Sequence, residues 1–404
     1  MSSVLAKSGI KYTENKIMIQ KTTDLTLAIL RSAMTGKPLG EAEKNSCTEE
    51  SVRAVFKLAK AHDLDHLVAW GLKKNELDAM LGDRGEKKIM TSVYRYQQIK
   101  YEYERICATL EAAGIDLLPL KGSVIRKHYP EPWMRTSCDI DILIHEADIE
   151  RAKELLKKEL NYTYSGATSH DVSLYSQSGV HLELHYDLIE DGLVKESCDV
   201  LNGVWEATRV KEGCKHHREM TDAYFYFYHV AHMAKHILHG GCGIKPFIDL
   251  WILDSLEDAD RAGREELLAR GGLAKVADVA QRLSYVWLDG REHDKGTLNL
   301  EKYVIDGGVY GAEDQLITIE KQKSGSSLKY ILSLIWRSSD ALKHKYPILK
   351  KHRWLLPVVQ VKRWFDIVFE GRFKGSVRKI TTATTISDEE INEVERFLSE
   401  LELL

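Results

Sequence analysis

The chain lacks any apolar run long enough to cross a membrane, any Cys-x-x-Cys pair, any internal repeat and any low-complexity tract. Each absence narrows the possibilities. A spanning helix needs about 20 consecutive apolar residues, so no membrane partner is expected. Residues 1–20 hold lysines but no continuous apolar segment and no secretory cleavage pattern. The six cysteines stand apart at 47, 107, 138, 198, 214 and 242. That usage fits reduced thiols in a cytoplasm, not a disulfide framework or a cysteine zinc site. Charge of one sign is also missing: 57 Lys and Arg face 61 Asp and Glu, a net −4. A nucleic-acid partner would therefore have to rest on a local patch.

What is present is ample for folding. At 404 residues, 44% of them hydrophobic, the chain can build two or three domains with proper cores. Val52, Val55, Phe56 and Ala59 recur at helical spacing, a second helix is expected over 67–72, and 36–48 reads as a loop. A longer helix is expected from about 90 to 113, with Ile99, Tyr103, Ile106 and Leu110 on one face and Gly114 as its stop. The period then becomes strand-like over 115–120 and 138–144, with an amphipathic helix marked by Ile149, Ala152, Leu156 and Leu160. Residues 180–186 alternate cleanly, apolar on even positions and polar on odd. Beyond about 215 the pattern is helical to the end. This divides the chain into an N-terminal helical region (1–89), a small α/β (α+β) core with a mixed sheet (90–214), and a C-terminal helical domain (215–404).

Within the core, Asp139 and Asp141 stand at i and i+2 in a strand that otherwise reads Ile, Ile, Leu, Ile. Strand alternation points both carboxylates the same way, where they repel each other. A divalent cation between them would reward the arrangement. Glu183, on the polar face of 180–186, is the expected third carboxylate, with Asp187 as its rival. Oxygen donors of this kind suit Mg²⁺ or Mn²⁺ holding substrate phosphates. Lys121-Gly122-Ser123 follows a strand and precedes a helix. Glycine admits a phosphate close to the backbone, and N–H groups at a helix start favour an anion. The spaced second glycine of a Walker loop is missing. Arg135 is a candidate for neutralising phosphate charge.

These residues together resemble a known superfamily. Gly122-Ser123, Asp139-Ile140-Asp141 and a later strand carboxylate are similar to the nucleotidyltransferases that include DNA polymerase beta, poly(A) polymerase and the antibiotic nucleotidyltransferases. The chain more closely resembles an uncharacterised bacterial nucleotidyltransferase family. Leu120-Lys121-Gly122, Tyr129-Pro130, Arg135 through Ile144 and Glu183-Leu184-His185 match its pattern in order. His232, His236 and Asp249-Leu250 match a helical histidine-rich segment, and Tyr346-Pro347 and Trp354 to Pro357 also look like family features. The gap of 15 residues between Ser123 and Asp139 is longer than in most of the wider superfamily, so 129–132 reads as an insertion. The resemblance implies a nucleotidyltransferase core that uses Mg²⁺ or Mn²⁺ with an NTP as substrate. Asp139, Asp141 and Glu183 would be catalytic metal ligands, and Lys121, Gly122, Ser123, Arg135, His185, His232 and His236 would serve nucleotide binding.

His229, His232, His236 and His239 form a stripe on one helical face, but no His-Glu-x-x-His motif accompanies it. It is expected to pack over the catalytic sheet, with one or two histidines near the triphosphate or acceptor and the rest hydrogen-bonded at a domain interface. Lys235, Lys245 and Asp249 are neighbouring cleft candidates. Residues 343–379 hold eleven Lys or Arg against two acidic residues, interleaved with Tyr346, Trp354, Trp364 and Phe365. Such stretches usually form a solvated face or pack on an acidic helix, here 387–404, so RNA is open as a partner but not favoured. The expected activity is transfer of a nucleoside monophosphate to a small molecule, a protein hydroxyl or an RNA end. A non-catalytic nucleotide- or RNA-binding module is the alternative, and a zinc hydrolase on the histidine stripe a third class.

Overall fold

The structure is a computed structural model that describes residues 2–190, 192–309, 313–324, 327–343, 346, 348–369, 381–382 and 384–404. Its centre is a five-stranded sheet of β1 (Leu117–Pro119), β2 (Asp139–Ile144), β3 (Thr163–Ala167), β4 (Asp171–Tyr175) and β5 (His181–His185). Their spatial order is β1-β2-β5-β4-β3, with β2 and β5 parallel and every other pair antiparallel. A separate two-stranded ribbon pairs β6 (Thr208–Val210) with β7 (Arg218–Met220). The mixed sheet flanked by helices is the architecture the sequence pattern predicts. The β3–β4 hairpin and the β6–β7 ribbon are additions to it.

The pleat decides which face becomes core. Ile140, Ile142 and Ile144 of β2 and Leu182 and Leu184 of β5 all point to one side. There they meet Ile99, Ile106 and Leu110 from the helix Asp83–Ala112 and Ile149, Ala152 and Leu156 from the helix Ile149–Leu160. Gly114, at φ +69°, ends the long helix in the left-handed conformation and turns the chain toward β1. The other face of the sheet carries the polar side chains of β2 and β5. Opposite them stands the helix Asp222–Ile237, itself buried among the helices Lys245–Asp254 and Ala274–Asp289.

The N-terminal and C-terminal helices are one structure in packing terms. The helix Ser2–Thr35 lies against both Asp65–Lys74 and Ala274–Asp289. At Gly71 the approach is so close that a Cβ would sit 2.6 Å from the Ile29 carbonyl oxygen. The acidic helix Asp388–Glu400 packs Phe397 against Tyr303 and pairs Glu400 with Lys295.

A buried ion pair fastens the C-terminal helices to the core. Asp249 is fully buried and receives Arg135 Nε at 2.8 and 3.0 Å, Arg135 Nη2 at 2.8 Å and the Tyr129 hydroxyl at 2.6 Å. Burial works to raise the Asp249 pKa, but Arg135 and Tyr129 hold it below the usual value. Asp249→Ala would leave a buried guanidinium without its counter-charge, which costs about 3–5 kcal/mol. Urea unfolding of the variant should show a loss of that size; a loss below about 1 kcal/mol would remove the ion pair from this role.

Candidate active site

Parallel pairing sets Asp141 opposite Glu183 and Asp139 opposite His181. β4 adds Ser173 opposite Glu183 and Asp171 opposite His185. One face of three adjacent strands therefore carries Asp139, Asp141, His181, Glu183, His185 and Asp171. Among the described residues, three donor groups could hold a metal ion: Asp139–His181–Glu183, Asp141–Glu183–His185 and His170–Asp171–His185. The first two share Glu183 and together include all three expected carboxylates. Asp187 instead accepts a hydrogen bond from the Ile189 backbone N–H at 2.8 Å, beyond the end of β5.

The two aspartates differ in how their charge is met. Asp141 is buried, receives the Lys121 ammonium at 2.9 Å and lies 3.0 Å from His185 Nε2. Burial alone would raise its pKa, yet Lys121 and His185 hold it well below the carboxylate range. The same contacts lift His185 to about 9 against its own burial, with Glu183 3.4 Å away. Asp139 makes no ion pair among the described residues. Burial and the Asp141 and Glu183 charges push it up to about 6, against the pull of the Lys121 charge. Three carboxylates crowd here with Lys121 and His185 meeting only part of their charge; a divalent cation would relieve the rest, so the donor set fits Mg²⁺ or Mn²⁺.

Lys121 reaches Asp141 from a strained backbone. Its φ of +44° is left-handed, costly for a residue with a Cβ and typical of functional turns. The turn hands the chain from β1 to the short helix Gly122–Ile125, and the Ser123 N–H closes it on the Leu120 carbonyl at 3.1 Å. A Cβ on Gly122 would lie 3.3 Å from Arg126 Nη2 and 3.7 Å from Arg135 Nη1. Two guanidiniums thus flank the glycine. Burial and the neighbouring Arg135 charge lower Arg126 to about 10, so the spot is short of negative charge. Arg126, held by the Gly122 carbonyl at 2.7 Å and Ser137 Oγ at 2.7 Å, was not apparent from sequence. Arg135, expected on phosphate, gives its fork to Asp249.

The histidine helix divides its stripe. His229 and His239 are taken by backbone carbonyls, of Pro246 at 3.0 Å and Lys235 at 2.7 Å. His232 and His236 bring their Nε2 atoms within 3.0 Å, and His232 Nδ1 lies 3.7 Å from Glu190. Glu190 also pairs with Lys235 and lies 3.6 Å from His170, linking the helix to the sheet. Burial and the nearby Lys121 charge lower His232 to about 4; burial and His232 lower His236 to about 3. Both are neutral at pH 7. No metal-capable group among the described residues includes a histidine of this helix. Lys245 is half-buried and pairs with Asp63 and with Thr136 Oγ1 at 3.0 Å, at the junction of the three regions. Sequence reading did not single out His170, Asp171, His181 or Glu190. His181 had a signal, since it shares strand parity with Glu183 and His185. Cys138, beside Asp139, is the exposed one of the six cysteines, and burial with the Asp63 and Asp139 charges raises its thiol pKa.

The raised Asp139 pKa gives two expectations. A carboxylate lifted on folding disfavours the folded state above its folded value, and this penalty fades as pH falls below about 6. Asp139→Asn should therefore stabilise the metal-free protein at pH 7.5, by about 1–3 kcal/mol in chemical denaturation. Mn²⁺ affinity of the unaltered chain, followed by calorimetry, should fall as pH drops through 6, approaching about tenfold per unit. A pH-independent affinity would separate Asp139 from the cation.

Comparison with known proteins adds a family. The model of an uncharacterised nucleotidyltransferase family matches residues 48–289, more than half of the chain, and spans the turn, both aspartates, Glu183 and the histidine helix. No curated protein and no solved structure matches. With those carboxylates on one sheet face and that match around them, the chain belongs to this family and is a nucleotidyltransferase.

Proposed function

We propose that the chain transfers a nucleoside monophosphate from an NTP to a hydroxyl-bearing acceptor, using Mg²⁺ or Mn²⁺ held by Asp139, Asp141 and Glu183. The observation that carries the reading is the in-register placement of the three carboxylates with Lys121 at their edge. In the reaction, the acceptor oxygen forms a bond to the α-phosphorus, the bond from that phosphorus to the bridging oxygen breaks, and pyrophosphate leaves. The divalent cation, when bound, supplies neutralisation of phosphate charge and acidifies the acceptor hydroxyl.

The chain's own residues do the positioning. The Gly122 turn, with Arg126 beside it, lets a phosphate approach the backbone and offers it positive charge, while Arg135 stays on Asp249. Lys121 shares its ammonium between Asp141 and the incoming triphosphate. His185 holds Asp141 in place and, charged at neutral pH, keeps it ionised. Glu183 is the group placed to take the acceptor's proton. His232 and His236, neutral and facing Lys121 from the helix, border the space left for nucleotide or acceptor. The acceptor classes are a small molecule, a protein hydroxyl or an RNA end.

The test incubates the protein with Mg²⁺ or Mn²⁺, cell extract and each NTP labelled at the α-phosphate. Label should enter a new product, whose size identifies the acceptor class. Asp141→Asn should abolish labelling. Glu183→Gln should lower the rate about 10²–10⁴-fold while NTP affinity changes little. Unchanged kinetics in Glu183→Gln would withdraw its role, and full turnover in Asp141→Asn would withdraw the metal site.

A further inference from the structure

The helix Leu356–Phe369 leaves a row of apolar side chains in solvent. Its inward side presents Val359 together with two polar residues, Gln360 and Arg363, all buried. Arg363 donates to the carbonyls of Ile335 at 2.6 Å and Leu334 at 3.1 Å, and Gln360 donates to the Arg337 carbonyl. Outward point Val358, Val361, Phe365 and Phe369, with relative exposures of 64, 58, 59 and 83%. Trp354, 75% exposed, precedes the helix, and Leu332 of the neighbouring helix Ser327–Ile335 and Trp336 just after it are also exposed. The four helical positions fall at i, i+3, i+7 and i+11, a single stripe about 16 Å long. Val359 and the half-buried Leu356 pack with Leu342, Tyr346 and Leu349, yet the fold leaves the four apolar side chains of the stripe outward.

Charge says what would cover it. By sequence, residues 343–379 carry eleven Lys or Arg against two acidic residues in a chain of net charge −4; among the described ones Lys351, Arg353 and Lys362 are exposed, while Arg363 is turned inward. A second copy of the same helix would bring two such positive segments together, which repel. An RNA would satisfy the charge but gains little from β-branched Val358 and Val361, which cannot stack on bases. An anionic lipid surface meets both demands: headgroups for the basic residues, and acyl chains for the aliphatic and aromatic stripe. We propose that this helix docks the protein on anionic membrane surfaces, lying in the interface plane. No helix among the described residues is long and apolar enough to cross a membrane, so the stripe is a surface contact and not an anchor that spans.

The test floats the full chain with vesicles of phosphatidylcholine alone or with added phosphatidylglycerol, at low and high salt. The expected result is binding to the phosphatidylglycerol vesicles, little to the neutral ones, and weakening by salt. Val358→Asp and Phe365→Asp should each weaken binding at least tenfold while leaving the circular dichroism melt unchanged, because both side chains are already in solvent. Failure to bind, equal binding to neutral vesicles, or binding that Phe365→Asp leaves intact would overturn the proposal. Light scattering and titration with a single-stranded oligoribonucleotide complete it. Self-association or RNA binding that Phe365→Asp abolishes, without vesicle binding, would give the stripe to a second copy or to nucleic acid and overturn it equally.

Discussion

Asp141 and Glu183 stand side by side because β2 and β5 run parallel in register, and the backbone ladder between them holds two like charges that would otherwise separate. The Ile and Leu side chains on the opposite face are sealed under two helices, and that seal is what makes the ladder stiff enough to bear the repulsion. A slip of one residue would drive Asp139 and Asp141 into the apolar core and Ile140 and Ile142 into the cleft. The fold therefore has strong reasons to keep this register. Everything else at the site, including the strained Lys121 and the imidazolium of His185, is arranged around the charge that the pairing concentrates.

That charge is neutralised unevenly, and the unevenness is informative. Lys121 and His185 offset the charge of Asp141, and His185 also lies 3.4 Å from Glu183, while Asp139 makes no ion pair among the described residues. A scaffold optimised only for stability would have placed a lysine or an amide there. The site accepts a local penalty in exchange for a donor set that could hold a cation, a pattern common where function and stability compete.

How much of this could be read from the chain depends on the range of the interaction. The aspartate strand, β5 and the Gly114 helix stop rest on local alternation and local backbone demands, and these are visible in ten residues. β3, Thr-Tyr-Ser-Gly-Ala, lies largely in solvent and lacks the apolar rhythm that marks a strand, while β4 carries that rhythm only in Val172 and Leu174, too short a run to announce a hairpin. The helix Ser2–Thr35 was hidden because its polar first half masks the buried second half. Arg135 reads naturally as a phosphate ligand; its partner Asp249 lies 114 positions away, and only tertiary contact assigns the guanidinium elsewhere. Arg126 looks like a surface arginine on a short turn. Its burial beside Gly122 depends on the loop folding back through Ser137, which no local pattern announces.

Cys138 gives the site an unplanned reporter. Its exposed thiol adjoins Asp139 at the head of β2, and partial burial with the Asp63 and Asp139 charges suppresses the thiolate form that reacts with alkylating reagents. A cation held at the proposed site would remove part of that suppression, whereas a nucleotide over the turn would shield the sulfur. The rate of alkylation at one native cysteine would then separate metal loading from nucleotide loading, with no label introduced into the chain.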